Sequence, residues 1–318
     1  MTSPEPSRRA HVVLVTYGEP TSPAFLEQLV YSWRILLGLT RTVANIPALL
    51  LPLIALSRAR GRTALWKRHG YVSPLEPITL AQVAQLRHAL AHASDREWKV
   101  HAAYEFRAPL IGEVIQSLPA TDPVVIAPMY AADSAFTHGL SRRTAEQLDA
   151  RRPAPIIVLP PSDIDTLAKL SADHVMHSIA GERIATANTA LVLAAHGTLL
   201  EPDMPIETGR IATERLCAGI RGRLSGRFGM IANGWLNHSR GGKWTEPPIE
   251  QTLRQVRDAG YRDVVYYPYG FLADNAETQL EGKLAATGQP ELRVRFVPCL
   301  NGSPDLAEAI AAQIVRAS

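Results

Sequence analysis

The sequence predicts an α/β protein of two similar domains, each a mainly parallel, doubly wound sheet with helices on both faces. Three observations carry this. Short apolar runs free of charge alternate with segments of helical apolar spacing along the whole chain. Two of these runs recur, in the same order, in each half. A proline-rich stretch, Arg151 to Ser162, separates the halves.

The strongest strand is Ala190-Leu-Val-Leu-Ala-Ala-His196-Gly197. It carries no charge, as a strand buried on both faces does, and stops at a histidine followed by glycine. The first strand, His11-Val-Val-Leu-Val-Thr-Tyr17-Gly18, ends in the same way. Helical material follows from about Ser22, then an unusual segment from Tyr31 to Gly70. Val72 to Thr79 reads as a loop, with Thr79 capping a helix over Leu80–Leu90. Trp98–Phe106 is strand, Leu110–Leu118 helix, Val124–Ala127 strand, Ser141–Ala150 helix and Pro155–Leu159 strand. The second half restarts with a helix over Ile164–Ile179, leading into the His196 strand. A helix near Ile206–Leu224, a strand about Gly229–Trp235 and a glycine-rich loop from Asn237 to Trp244 follow. Helix Ile249–Ala259, strand Val264–Pro268, helix Glu277–Ala285, strand Leu292–Val297 and helix Asp305–Val315 complete the chain.

Val12-Val-Leu-Val-Thr-Tyr17-Gly18 matches Leu191-Val-Leu-Ala-Ala-His196-Gly197. Val124-Val-Ile-Ala-Pro128 matches Val264-Val-Tyr-Tyr-Pro268, with Asp133 and Asp274 close behind. The interval between the two elements is longer in the first half by about the length of segment 31–70. The expected domains are therefore 1–155, carrying an inserted lip at 31–70, and 156–318. Their sheets are expected to face a central cleft, with Tyr17 and His196 on equivalent loops. Ligands of open α/β sheets bind at the carboxyl ends of the strands, which is where His196 stands.

Of the 318 residues, 46% are apolar and 20% charged, with a formal net charge of +3. This is ordinary for a globular protein and too small a charge to indicate a nucleic-acid partner. Cys217 and Cys299 are the only cysteines. They cannot hold a four-cysteine iron–sulfur cluster or a structural zinc, and buried free thiols in a reducing cytosol are expected. Met1 to Arg9 lacks the apolar core of a signal peptide, and the longest apolar run, Ala44 to Leu56, is short and broken by Pro47 and Pro52. A cytoplasmic protein is expected. Segment 31–70 combines this run with Arg34, Arg41, Arg58, Arg60, Arg62, Lys67 and Arg68 and no acidic residue. Such a surface suits an anionic membrane interface, or a flat apolar ligand bearing carboxylates; the alternative is a helical hairpin that merely caps the domain.

Several blocks together resemble the ferrochelatase family, the chelatases that insert ferrous iron into a porphyrin to make haem. Tyr17-Gly18-Glu19-Pro20 is similar to that family's Tyr-Gly-x-Pro form. Gly70-Tyr-Val-Ser-Pro-Leu75 with Thr79 and Gln82 resembles its Gly-Ser-Pro-Leu … Thr … Gln signature. Ala127-Pro128-Met129-Tyr130 with Ser134 resembles Pro-Leu-Tyr-Pro-x-x-Ser, and Ala194-Ala-His196-Gly197 the catalytic Ser-x-His loop. Gly270-Phe271-Leu-Ala-Asp274-Asn-Ala-Glu277-Thr278 resembles Gly-Phe-x-x-Asp-x-x-Glu-Thr, and Asn301-Gly-Ser-Pro304 the C-terminal block. The blocks stand in the family's order over nearly the whole chain.

The resemblance implies two Rossmann-like, chelatase-like domains and the bacterial type without an iron–sulfur cluster. It implies His196 as pyrrole-proton acceptor and metal ligand, with Glu277 as its proton relay and a second ligand. Tyr17, Ser73, Pro74, Tyr130, Trp235, Trp244, Leu50 and Arg41 are the expected porphyrin contacts, with His238 beside them. No cofactor is expected beyond the Fe(II) substrate. Asp274 reads either as part of the site or as a helix N-cap, and Glu281 either as an extension of the relay or as a solvated helix face. The chain departs from the family at Tyr104-Glu105-Phe106, where Met-Arg-Tyr is common, and at Asn275, where histidine or cysteine is frequent. The porphyrin is left as protoporphyrin IX or coproporphyrin III. A chelatase for another metal or tetrapyrrole, such as a cobalt-inserting one, and a non-catalytic porphyrin-binding paralogue are the alternatives.

Overall fold

Charge-free runs become the central strands because only such sequences tolerate burial on both faces. The computed structural model describes residues 9–42, 47–182, 184–202, 205–237 and 242–318, and of residues 41 and 42 the backbone alone. Among them, β1 (Arg9–Thr16), β2 (Glu97–Tyr104), β3 (Val124–Pro128) and β4 (Ile156–Val158) form a parallel sheet of order β2-β1-β3-β4. A second parallel sheet consists of β5 (Thr189–His196), β6 (Met230–Leu236), β7 (Asp263–Tyr267) and β8 (Arg293–Phe296), in the order β6-β5-β7-β8. The two orders are the same. They make β1 equivalent to β5 and β3 to β7, the pairs that match in sequence.

In the first sheet, Val13, Val15 and Ile126 pack on Ile111 and Ile115 of α4 (Ile111–Ser117) and on Ala145 and Leu148 of α5 (His138–Asp149). In the second, Val192, Ala194 and Tyr266 pack on Leu253 and Val256 of α8 (Ile249–Asp258) and on Ala285 and Ala286 of α9 (Gly282–Thr287). Helices α6 (Ile164–Ile179) and α7 (Arg210–Arg223) pack on each other, and Tyr267, which alternates with Tyr266 on β7, donates to Ser171 of α6 at 3.2 Å.

The chain divides into two compact units, one of residues 1–129, 135–161 and 302–318, the other of 130–134 and 162–301. The division falls at 161, where the sequence places the boundary at 155. The closing helix α10 (Pro304–Ala317) does not join the second domain, since its apolar stripe of Leu306, Ile310 and Ile314 is buried and packs against α3 (Leu75–Ala93) of the first unit. Gln313 also donates to the Pro160 carbonyl at 2.7 Å, tying α10 to the proline-rich stretch.

Helix α3 starts earlier than its sequence suggests. Residues 75–79 are helical rather than a loop, and Thr79 lies inside the helix, its hydroxyl donating to the Leu75 carbonyl at 2.7 Å. Proline is tolerated in a first helical turn, where its missing N–H costs nothing, so Pro77 does not delay the start. Ser73, just before the N-cap Pro74, steadies the start of the helix, its Oγ accepting from Leu75 N at 3.2 Å.

The inserted segment is a helical hairpin. Helices α1 (Phe25–Thr42) and α2 (Leu51–Arg68) pack on each other through Leu36, Leu51 and Ala55, with a 3-10 turn at Ala48–Leu50. Arg62 of α2 lies over the rings of Tyr31 and Trp66 at 5.0 and 5.2 Å. The tip is apolar and bare, with Leu49 90% exposed and Leu50 and Leu53 also exposed. No helix of the described residues is long and apolar enough to cross a membrane. Cys217 and Cys299 are both free and buried.

Candidate active site

Strand β5 is buried along its length until its last residue, His196, which turns outward. Its imidazole is 48% exposed, and Nδ1 stands 3.0 Å from Oε2 of Glu277, whose side chain is 24% exposed. An ionised carboxylate can only accept, so Nδ1 carries the hydrogen and Nε2 keeps its lone pair. The arrangement is a base with its orienting partner attached. The Phe271 ring meets the imidazole edge-on, with centroids 6.5 Å apart.

A close backbone approach places Phe271 and Glu277 here. Gly270 N donates to the Ala194 carbonyl at 3.3 Å, and a Cβ at residue 270 would lie 2.8 Å from the Ala195 Cβ. Only glycine lets the segment after β7 pass this close to the end of β5.

Glu277 opens a single wide turn, a π-helix over Glu277–Glu281 in which Gly282 N donates to the Glu277 carbonyl. Its N-terminus is capped by Asn275, not Asp274. Asn275 Oδ1 accepts from Thr278 N at 3.1 Å, and the Asn275 carbonyl accepts from Gln279 N at 2.9 Å. The position where the resembling family often has histidine or cysteine is thus a buried cap.

Asp274 does different work. Its carboxylate accepts from Asn301 Nδ2 at 2.7 Å, from Thr278 Oγ1 at 3.1 Å and from Cys299 N at 3.2 Å. Asn301 reciprocates, its Oδ1 accepting from Asp274 N at 2.8 Å. Asn301 holds this position with φ of +50°, a conformation that asparagine tolerates better than most residues. Asp274 therefore binds the segment before Glu277 to the block after β8.

The loop leaving His196 pairs with the glycine-rich stretch. Thr198 N donates to Thr245 Oγ1 at 3.1 Å, Thr245 N to the Thr198 carbonyl at 3.0 Å, and Leu200 N to the Lys243 carbonyl at 2.8 Å. Leu199 and Trp244 form an antiparallel bridge, so Trp244 stands beside the histidine loop.

Trp235 is not brought to His196. In the β5–β6 register Ala195 faces Trp235 and His196 faces Leu236, so alternation turns Trp235 to the opposite side of the sheet. Its ring is buried, its Nε1–H donates to the Glu246 carbonyl at 3.2 Å, and with Asn233, Tyr269 and Cys217 it lines a cavity of about 370 Å³.

In the first unit, Tyr17 follows β1 and stacks on Phe106, with centroids 5.9 Å apart and planes 11° apart. Gly18 has φ of +72° and lies against Tyr104, so no side chain fits there. Ser73 is buried and donates to Glu19 Oε2 at 2.7 Å, which fixes the segment leading into α3 to the Tyr17 loop; Pro74 precedes the first turn of α3. Leu50 lies half exposed at the hairpin tip, and Tyr130 is buried at the start of the 130–134 segment of the second unit. Arg41 falls in the last turn of α1, its side chain outside the described residues, and His238 lies outside them altogether.

Glu105 is the carboxylate at the Tyr104-Glu105-Phe106 departure from the family pattern. It follows β2, accepts from Ser141 Oγ at 3.0 Å, and is pushed up to about 8 by burial, against the opposing influence of Ser141 and Arg143. Among the described residues, no group of three or more His, Cys, Asp or Glu is placed to hold a metal ion. His196 and Glu277 offer an ion two donors.

The ferrochelatase family model matches residues 9–318. The chain belongs to the ferrochelatase family. Ferrochelatases of Desulfotalea psychrophila and Geotalea daltonii are each 25% identical to it over 324 aligned positions, covering 96% of this chain and 97% of each relative. Among solved structures, CbiX, the terminal enzyme of siroheme biosynthesis in denitrifying bacteria, superposes with a TM-score of 0.56 at 18% identity, over 97% of this chain and 99% of CbiX. SirB of Bacillus subtilis with Fe3+ gives 0.55 at 12% identity, over 97% and 94%. These likenesses are of fold: two parallel-sheet domains, as in other chelatases. As a ferrochelatase family member, the chain is a chelatase, a protein of the kind that inserts a metal into a tetrapyrrole.

Proposed function

We propose that this chelatase inserts Fe(II) into a porphyrin, protoporphyrin IX or coproporphyrin III, in haem biosynthesis. One observation carries the reading: His196 Nδ1 bonded to Glu277 Oε2 at 3.0 Å, on the exposed end of an otherwise buried strand. Insertion exchanges two pyrrole N–H protons for one dication. With Nδ1–H held by Glu277, the Nε2 lone pair of His196 takes a pyrrole proton, or ligates the incoming ion before it enters the ring. Protonation makes the imidazole a cation beside a carboxylate, which stabilises it, and Glu277 passes the proton on towards solvent. A pair of donors suits an ion that must leave for the macrocycle, whereas a closed set of four would retain it. No electron is transferred, so the reaction requires no redox cofactor.

Tyr17 and Trp244 are the aromatic contacts we assign to the macrocycle; Ser73 and Pro74 act indirectly by holding the Tyr17 loop. The exposed Leu49, Leu50 and Leu53, in a segment whose charges from Tyr31 to Gly70 are all cationic, fit peripheral attachment to an anionic membrane surface on the cytoplasmic side. Co-sedimentation with anionic liposomes tests this, and failure of the intact protein to sediment leaves the hairpin as a substrate lid.

A second reading, insertion of another metal or into another tetrapyrrole, is favoured by the fold likeness to CbiX and SirB and by Glu105 standing where the family commonly has arginine. The deciding experiment presents Fe(II), Co(II) or Zn(II) anaerobically with protoporphyrin IX, coproporphyrin III or sirohydrochlorin and follows absorbance. Turnover with Fe(II) and a porphyrin is expected. Preference for sirohydrochlorin selects the second reading, and tight tetrapyrrole binding without insertion of any metal overturns both.

A further inference from the structure

Two locally unfavourable features meet beneath Glu277. The first is the Tyr266 hydroxyl, which is fully buried and makes no hydrogen bond. Buried hydroxyls are almost always paired, so an unpaired one calls for an explanation. The second is Gly282, a poor helix former at the junction of the π turn and α9. A Cβ at residue 282 would lie 2.8 Å from Tyr266 Oη and 3.3 Å from the Glu277 carbonyl oxygen. The phenol of β7 thus fills the space that a side chain on the helix would otherwise occupy. Wide π turns interrupt helices mainly where a side chain has to be set off the ordinary helical course.

We infer that Tyr266 and Gly282 are positioning residues for the chelatase reaction, the phenol seated against a bare backbone to set the π turn that aims Glu277 at His196. This rests on the function proposed above. Strand β7 is a buried central strand: Val264, Val265, Tyr266 and Tyr267 are all essentially fully buried. A phenol standing on it gives the turn a fixed floor, and any atom added at residue 282 lifts the turn from that floor. Burial keeps the phenol protonated, its pKa raised well beyond its ordinary value. It acts as a wedge, not as an acid or base.

The test is a cycle of full-length variants: Gly282→Ala, Tyr266→Phe and the two combined. Zn(II) insertion into protoporphyrin IX, tetrapyrrole binding and the 15N imidazole signals of His196 at one fixed pH are followed. Gly282→Ala is expected to lower kcat at least tenfold while tetrapyrrole affinity stays within about twofold, and to shift the His196 signals. Tyr266→Phe alone, which takes the hydroxyl from under the turn, should lower kcat about three- to tenfold and shift the same signals; an unchanged Tyr266→Phe overturns the phenol's part. In the combined variant the nearest remaining atom of the ring, Cζ, is 3.3 Å from the new methyl. Small shifts accommodate this, and both kcat and the imidazole signals should return. Unchanged kcat and signals in Gly282→Ala, or losses that removal of the hydroxyl does not restore, overturn the inference. If the unaltered protein inserts no metal, the functional reading has failed, and the imidazole signals alone decide the positioning role.

Discussion

Glu105 accepts a hydrogen bond from Ser141 at 3.0 Å and, drained of water by its surroundings, holds its proton up to about pH 8. Its folded pKa lies above the ordinary carboxylate value, so the folded chain keeps a proton that the unfolded chain has released. That contribution to stability is complete below about pH 4.5 and is lost as pH rises towards 8. Glu105→Gln, which keeps the acceptor for Ser141 and cannot ionise, is expected to flatten this slope. It should raise stability at pH 9 by roughly 1–3 kcal/mol. Urea unfolding of both proteins at pH 6 and pH 9 measures the difference.

His101 has the opposite sign. Burial lowers its pKa, followed by the nearby His11, Arg87 and Lys99. Its ring contacts His11, Nε2 to Nδ1 at 3.0 Å, and His11 Nε2 in turn lies 3.2 Å from Asp122 Oδ2. The unfolded chain takes up this proton first, so stability falls as pH drops below about 6.5. The ring is only partly buried, which keeps the effect under about 1 kcal/mol. Thermal melts of His101→Gln between pH 5 and 7 should show a shallower acid slope than the parent.

For the proposed reaction, His196→Ala should reduce kcat by roughly 10²–10⁴-fold with porphyrin affinity nearly unchanged. Glu277→Gln can still accept from Nδ1 but cannot offset the imidazolium charge, and a smaller fall of about 10- to 100-fold is expected. Equal loss of binding and kcat in both variants would mean that the pair holds substrate and leaves proton transfer to other groups.

Asp274→Ala removes an acceptor shared by Asn301 Nδ2, Thr278 Oγ1 and Cys299 N. Taking away a buried charge that gathers three donors should cost roughly 3–5 kcal/mol. The urea midpoint should fall with the slope unchanged. A loss below 1 kcal/mol would show that water replaces the carboxylate there.

The strands and the repeat were legible because burial on both faces excludes charge, and this leaves its mark within a few adjacent residues. The His196–Glu277 pair was legible only through the ordered motif blocks, since the residues are far apart in sequence. Other features depend on information that no local window holds. The face Trp235 takes changes with a one-residue shift in where β6 ends. Asp274 and Asn275 are adjacent and both fit an N-cap, and only the position of Asn301 decides which residue does what. The wide turn at Glu277 has no propensity signature, and its cause, Tyr266, lies on a strand. The lip appeared as a composition anomaly, and its hairpin form follows from Leu36, Leu51 and Ala55 meeting.

Helix α10 gives the chain an unusual order of completion. Everything the second unit needs has left the ribosome by residue 301, while the first unit still waits for Leu306, Ile310 and Ile314 to cover α3. During synthesis the later-made unit can therefore finish folding first, against the usual N-terminal-first order. Until the last turns emerge, an apolar face of α3 stays open to water and to chaperones.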